Sequence, residues 1–210
     1  MRHQNRLTNI VLMGIAIVLS GCVTDLLPEP APAPKVYRLT SSAVQVDPIK
    51  QAYLLRVDRP AVSKSLQGQN IIVSTSGQRL AVIEEAKWAE PLPAMIQTSL
   101  LDAIGSRKNI VGVLPTSGAK TDYRIHLTIR HFEADFDRGD EQAPLTIVDY
   151  TATLSNAKSR KLLGSKNFKT TQRATDFNVA QIVDAQEEAN SRVMIEVTDW
   201  IINVLNNSSS

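Results

Sequence analysis

Hydrophobic residues recur along the chain either at every second position or at helical spacing, and the two patterns divide it into elements. The clearest strand lies at residues 122–136, where every second residue from Tyr123 to Ile129 is apolar. Such alternation is typical of a strand with one buried and one solvated face. The phase reverses at Phe132, which predicts a β-bulge or a strand that leaves the sheet.

Several shorter segments have the same strand character. We predict strands at residues 36–40, 53–57, 71–74, 80–83, 110–114, 145–156 and 162–171. The segments 71–74 and 80–83 flank Ser76-Gly77-Gln78, which predicts a hairpin. The segments 122–136, 145–156 and 162–171 are separated by turn-rich stretches and should form a meander.

Two segments have helical spacing. The first begins at Pro91-Leu92-Pro93, because proline is tolerated in the first helical turn, and ends near Gly105. The second runs from about Asn178 to Leu205, and either Asp176 or Asn178 could cap it. The elements together predict an α+β fold: a two-layer domain with a mainly antiparallel sheet, helices packed on one face, and a polar opposite face.

Residues 1–21 are organised as an export signal. A start with two arginines and no acid precedes an apolar stretch at residues 10–19 and the small residues Ser20 and Gly21. An apolar stretch of about ten residues is too short to span a membrane, which needs roughly 20. Of the 23 basic and 21 acidic residues, the signal holds two bases and no acid, so the remainder has 21 of each. This balance gives no ground for nucleic-acid binding.

The chain has one cysteine, Cys22, directly after this signal. A lone cysteine cannot form an intramolecular disulfide. The stretch Leu19-Ser20-Gly21-Cys22 resembles the bacterial lipobox, in which the cysteine thiol receives a diacylglyceryl group and the signal is cleaved between Gly21 and Cys22. A plain signal peptide with an incidental cysteine is the alternative interpretation. Acyl chains on Cys22 are the only attached group that we expect, with no other cofactor.

The segment 22–35 is predicted to be a tether. Proline occupies every second position from Pro28 to Pro34, which favours an extended, semi-rigid chain. At about 3 Å per residue, it could hold the domain about 35–40 Å from the lipid surface. A disordered segment of no set length is the alternative. We place one domain at residues 36–205 and a disordered tail at 206–210.

No catalytic or metal-binding pattern stands out. The sequence contains no G-x-S-x-G, P-loop or G-x-G-x-x-G motif. His126 and His131 should point to opposite faces of their strand unless the bulge intervenes. The acidic loop after Asp135 lacks the spacing of a calcium loop. We therefore predict neither an enzyme nor a metal site.

Trp88 is the most informative aromatic residue. It precedes the proline-started helix, where it could either pack in the core or anchor a partner. We treat Trp88, Glu90 and Pro91 as candidate partner contacts. Ile195 lies away from the apolar stripe of the terminal helix and indicates a second contact surface there.

These features together resemble a known family, the PqiC-like ABC-type transport auxiliary lipoproteins. The resemblance spans about residues 17–205. It rests on the lipobox, the proline-rich spacer, and the segments Tyr37-Arg38-Leu39, Trp88-Ala89-Glu90-Pro91-Leu92 and Asp122-Tyr123-Arg124-Ile125.

The resemblance implies a non-enzymatic role at the periplasmic face of the outer membrane. Such lipoproteins work with an MCE-domain protein and an inner-membrane permease that carry lipid or other hydrophobic cargo, and a homo-oligomer is expected. Val23 follows the acylated cysteine, where an aspartate would favour inner-membrane retention. The alternative hypotheses are a regulator or scaffold of another envelope complex, such as a peptidoglycan synthase or Tol-like system, and a tethered hydrolase.

Overall fold

The computed structural model describes residues 32–40, 53–75 and 79–208. The predicted signal, the lipobox with Cys22 and most of the predicted tether lie outside these residues, as does the turn of the predicted hairpin at 76–78. Of the tether, Pro32 to Pro34 are exposed and belong to no helix or strand.

The described residues form nine strands and two helices. In chain order these are β1 (Lys35–Tyr37), β2 (Tyr53–Val57), β3 (Ala61–Val62), β4 (Asn70–Thr75), β5 (Arg79–Trp88), α1 (Leu92–Gly105), β6 (Ile110–Val113), β7 (Tyr123–Asp135), β8 (Leu145–Asn156), β9 (Leu162–Arg173) and α2 (Val179–Ser208). The two-residue strand β3 was not predicted. Helix α2 continues to Ser208, so residues 206–208, which we assigned to the tail, are helical.

The sheet is mixed, and the prediction of a mainly antiparallel sheet is wrong. One edge of β7 pairs with β8 in antiparallel orientation, and the other edge pairs in succession with β2, β3 and β4, all parallel to it. Strands β1 and β5 are also parallel, as are β2 and β6. Parallel partners are distant in sequence, so alternation within a single strand does not reveal them.

The antiparallel pairs are those that the sequence predicted. Strands β4 and β5 form the hairpin, and β7, β8 and β9 form the meander. The register of β7 on β8 shifts between Ile129 and His131, which confirms the bulge. After the bulge Phe132 returns to the core, where its ring lies edge-on to Trp88 with the ring centroids 5.9 Å apart.

The two helices share one hydrophobic core with the sheet. Ile96 and Leu100 of α1, Val193 of α2, and Val148 and Leu154 of β8 are all buried in it. Burial of such side chains is the main stabilising contribution to a domain of this size. Among the described residues, neither helix has the length and apolar content needed to cross a bilayer.

The opposite surface of β7, β8 and β9 is polar and is called the outer sheet face below. Thr151 of β8 donates a hydrogen bond to Asn167 of β9 at 3.0 Å there. Arg124 of β7 also lies on this face. This is the polar face that strand alternation predicted.

Helix α2 is capped by Asn178. The side-chain Oδ1 of Asn178 accepts a hydrogen bond from the backbone amide of Gln181 at 3.1 Å, which is the bond of an N-cap residue. The carboxylate of Asp176 instead accepts from the amide of Phe177. The structure therefore decides between the two caps that the sequence allowed.

Candidate functional site

Trp88 belongs to the core, so its predicted role as a partner contact is corrected. Its side chain is 1% exposed, and its backbone amide donates to the carbonyl of Gln69 at 2.7 Å. Its side chain points into the core because buried and less buried positions alternate to the end of strand β5. Glu90 is exposed and Pro91 is half-buried, so this part of the predicted contact stays at the surface.

Glu90 leads into a groove between the two helices, which we call the α1–α2 groove. A cavity of about 400 Å³ lies between α1 and α2. A smaller cavity of about 190 Å³ lies beside it, lined by Arg38, Glu90 and Met95. Ser99 lines both cavities, so the two parts adjoin at the middle of α1.

Helical spacing places the side chains that form the walls. Met95, Ser99, Asp102 and Ser106 recur every three or four residues and line one side of the groove. Glu187, Ser191 and Ile195, four residues apart, line the side formed by α2. Several of these side chains are small, so they leave space between the helices where larger residues would fill it.

The floor of the groove contains a buried polar residue, Asn190. It is 3% exposed and lines the cavity. The hydroxyl of Tyr150, on β8, donates to Oδ1 of Asn190 at 2.8 Å. Burial raises the pKa of Tyr150 well above its ordinary value, so the hydroxyl remains a donor. This bond orients the amide of Asn190.

The groove carries more acidic than basic side chains. Asp102 is the one charged residue of α1. Helix α2 has five acidic residues and one basic residue, Arg192. The guanidinium of Arg192 bonds to the carbonyl of Thr171 and to the side chain of Gln172, so it points towards β9. Among the described residues, Arg38 at the far end is the one basic residue that lines either cavity.

The outer sheet face has a different arrangement, with carboxylates held by neighbouring bases. Asp58 is buried between Arg56, at 2.9 Å, and Arg124. Glu133 is buried, and its Oε1 lies 2.6 Å from Nδ1 of His131. These contacts give each of the two buried carboxylates a polar partner within the sheet.

The bulge places both histidines on the outer sheet face. His126 pairs across the strands with Thr153, and His131 with Asp149. Five positions along a strand correspond to roughly 16 Å, too far for one metal ion. Within the described residues, no three His, Cys, Asp or Glu side chains are arranged to hold a metal.

The acidic loop after β7 is also tied to the fold. Both carboxylate oxygens of Asp137 accept from the guanidinium of Arg173, at 2.7 and 2.8 Å. The hydrogen bonds from Arg173 lower the pKa of Asp137. Asp135 accepts from the hydroxyl of Ser74 at 3.0 Å. These contacts join the loop to β4 and β9.

A protein-family comparison identifies the chain. The model of the family described as "ABC-type transport auxiliary lipoprotein component" matches residues 37–197. The chain belongs to this family. The matched segment of this auxiliary lipoprotein runs from the end of β1 into α2. It includes the residues that form the α1–α2 groove.

Solved structures show the same fold. A Xanthomonas campestris protein of the DUF330 family matches with a TM-score of 0.75 and 21% identity over 83% of this chain and 98% of that one. A second crystal structure, of an uncharacterised protein, matches with a TM-score of 0.64 and 16% identity over 80% and 99%. No curated protein matches the sequence significantly. At these sequence identities, the two structures show that the auxiliary lipoprotein shares their fold, and nothing beyond the fold.

Sequence reasoning missed most of the groove of the auxiliary lipoprotein. It identified Glu90 and Ile195 as contact candidates, but not Ser99, Asp102 or Asn190. One signal was present: Asn190 interrupts the apolar stripe of α2, and a polar residue at a core position needs a hydrogen-bond partner. The position of α1 beside α2 was not readable, because it depends on how both helices cross the sheet.

Proposed function

We propose that this protein is a periplasmic lipoprotein, anchored in the outer membrane, that acts as an adaptor subunit of an MCE-type intermembrane transport system for lipid or another hydrophobic compound. The observation that carries the proposal is the family match over residues 37–197. The protein docks on the MCE-domain protein of the transporter, which in turn works with an inner-membrane permease.

The role is one of binding and not of catalysis. The α1–α2 groove is lined by hydroxyls, carboxylates, an amide and apolar groups. General acid–base or nucleophilic catalysis needs an activated group beside a partner of matched pKa. The side chains of the groove are instead suited to hold a complementary surface.

The anchor is formed by acyl chains on Cys22. One acyl chain gives only marginal, reversible membrane binding, whereas two or more anchor firmly. Val23 after the acylated cysteine favours delivery to the outer membrane. The tether at residues 22–35 then lets the domain reach into the periplasm.

The experiment that tests this function is replacement of Cys22 in the full chain. Cys22→Ala should leave the protein unprocessed or release it from the outer membrane, as measured by mass shift and membrane fractionation. The wild-type lipoprotein should co-purify with an MCE-domain protein after cross-linking in cells.

A matched control is Val23→Asp, which keeps the acylated cysteine. We expect this variant to stay processed and membrane-bound but to fractionate with the inner membrane. A normally cleaved and membrane-bound Cys22→Ala protein would contradict the anchor. Cross-linking that recovers only peptidoglycan enzymes would contradict the transport role and favour a regulator of an envelope synthase.

A further inference from the structure

We propose that a cavity beside the β-bulge of β7 binds a phosphate group, with Arg130 as the cation that holds it. The cavity has a volume of about 190 Å³ and is lined by residues of β4, β5, β7 and the segment 63–66; we call it the bulge cavity. The inference goes beyond the proposed function, because the bulge cavity shares no lining residue with the α1–α2 groove and does not depend on docking to a transporter.

The bulge brings the polar groups of the cavity together. Ile129 pairs across the strands with Tyr150, and His131 pairs with Asp149, so Arg130 is the extra residue without a cross-strand partner on β8. Arg130 and His131 are both exposed and both line the cavity, although neighbouring residues of a regular strand point to opposite faces. Bulges re-aim side chains in this way next to functional sites. The bulge thus places a guanidinium and an imidazole side by side.

Arg130 supplies the positive charge of the cavity. Among the described residues, its guanidinium makes no hydrogen bond or ion pair. By contrast, Arg124 of the same strand is bonded to the carboxylate of Asp58. The planar fork of N–H donors of an arginine matches two oxygens of a phosphate group, and its charge persists at physiological pH. An unpaired arginine that lines a cavity with further polar groups is therefore suited to hold an oxyanion.

His131 and two serines supply further polar contacts. Nδ1 of His131 lies 2.6 Å from Oε1 of Glu133, so Nε2 is the ring nitrogen that remains for a ligand. The hydroxyls of Ser63 and Ser65 lie 2.9 Å apart. Whichever of the two accepts this hydrogen bond keeps its own proton for a further acceptor. A phosphate group has several oxygens and can use the guanidinium, the imidazole and a hydroxyl together.

The nearby acids leave this positive charge available. Glu133 is 6% exposed, and its two oxygens are bonded to His131 and to the backbone amide of Phe132, at 2.6 and 2.9 Å. Asp149, the cross-strand neighbour of His131, is buried and does not line the cavity. Among the described residues that line it, Arg130 carries the one exposed permanent charge. The cavity therefore favours an anion over a cation.

The apolar side of the cavity favours a lipid headgroup as the source of the phosphate. Leu66 and Ile72 line it as buried residues, and Leu80 is 49% exposed beside them. An apolar chain that covers Leu80 removes apolar surface from water. The cavity is smaller than the roughly 300 Å³ of pockets that enclose a whole small ligand, so it admits a headgroup and the first carbons of a chain. A soluble phosphate ester offers the same oxygens without the chain, and the experiment separates the two sources.

The test is isothermal titration calorimetry on the full-length lipoprotein in neutral detergent. The phosphate probes are glycerol 3-phosphate and a short-chain phosphatidic acid below its micelle concentration, and a diacylglycerol with the same chains is the probe without phosphate. We expect the phosphatidic acid to bind, and Arg130→Ala to weaken its binding about fivefold or more. Arg130→Lys should lie between the two, because lysine keeps the charge but not the planar fork.

Two further variants serve as controls. Lys158→Ala removes an exposed base that follows β8, about 20 Å along the strands from Arg130, and should change the affinity by less than about twofold. Leu80→Ser should weaken the binding of the phosphatidic acid but not that of glycerol 3-phosphate, because only the first probe has an apolar chain.

Several results would overturn the inference. These are no binding of either phosphate probe, equal binding of the phosphatidic acid and the diacylglycerol, or equal effects of Arg130→Ala and Lys158→Ala. If glycerol 3-phosphate binds as tightly as the phosphatidic acid and Leu80→Ser has no effect, the result supports the phosphate site and contradicts the lipid source.

Discussion

At the scale of single residues, the contact between Tyr150 and Asn190 joins the core to the groove. Tyr150 is fully buried on β8, and Asn190 is almost fully buried on α2. Their hydrogen bond is 2.8 Å long and crosses the interface between sheet and helix. It therefore stabilises the packing of α2 and also orients the amide of Asn190 in the groove.

Replacing Tyr150 by Phe should destabilise the protein. The variant keeps the ring but leaves Oδ1 of Asn190 without its partner, which costs about 1–3 kcal/mol of the free energy of unfolding. Urea denaturation measures the loss. Tyr123→Phe, at a half-buried ring on β7, should change the free energy by less than about 0.5 kcal/mol. Equal losses in the two variants would contradict the role of the buried bond.

The raised pKa of Tyr150 also predicts how the stability of the wild type and of Tyr150→Phe should differ with pH. In the unfolded chain the phenol ionises near pH 10, whereas in the folded protein it stays neutral to higher pH. The contribution of Tyr150 to the free energy of unfolding is thus present below about pH 10 and is lost as the pH rises above that value. Wild type should lose more stability than Tyr150→Phe between about pH 10 and 11.

At the scale of elements, the packing of α2 on β9 depends on one glycine. A Cβ built on Gly164 of β9 would lie 3.1 Å from Cζ2 of Trp200. The rings of Phe168 and Trp200 meet edge-on at the same place, with centroids 5.7 Å apart. The missing side chain thus leaves room for the indole ring between helix and strand.

Gly164→Ala should therefore lower the stability of the domain. The rigid Trp200 ring must move to admit the methyl group, and such overpacking costs about 1–3 kcal/mol. The matched control is Gly68→Ala, where the added Cβ would meet nothing within 4 Å. We expect the control to be neutral or slightly stabilising in thermal denaturation. If Gly164→Ala proves as stable as the control, the close contact does not limit packing.

At the scale of the whole molecule, the long strand β7 organises the domain. It supports three short parallel strands on one edge and the meander on the other, and both helices share the hydrophobic core of this sheet. The proposed anchor and tether lie before β1. The proposed function requires both that the domain folds and that the tether lets the domain reach its partner.

Shortening the tether tests this requirement. Deletion of residues 28–34 removes about 20 Å of reach if the segment is extended. The variant should remain membrane-bound and folded, but its cross-link to an MCE-domain protein should be strongly reduced. A replacement of the same seven residues by Gly and Ser, which keeps the length but not the stiffness, should retain more of the cross-link. Full cross-linking after deletion would show that reach is not limiting.

The local elements and part of the site were readable from the sequence. Alternation predicted the long strands, the hairpin and the bulge before Phe132, because burial of one sheet face leaves a period of two. Helical periodicity predicted α1 and α2, with an end at Gly105. Ile195 was recognised as part of a second contact surface because it lies away from the apolar stripe of its helix, and Glu90 was named as a candidate partner contact before α1.

The sequence by itself thus determined the type of each principal element and the family resemblance, because periodicity and short motifs are local properties of the chain. Only the tertiary structure decided that β2, β3 and β4 lie parallel along β7, that Trp88 is buried, and that Asn190 forms the floor of a groove. These features depend on contacts between residues far apart in the chain. The physical reason is that such contacts are selected by packing of the whole core, and no single segment contains the information to specify them.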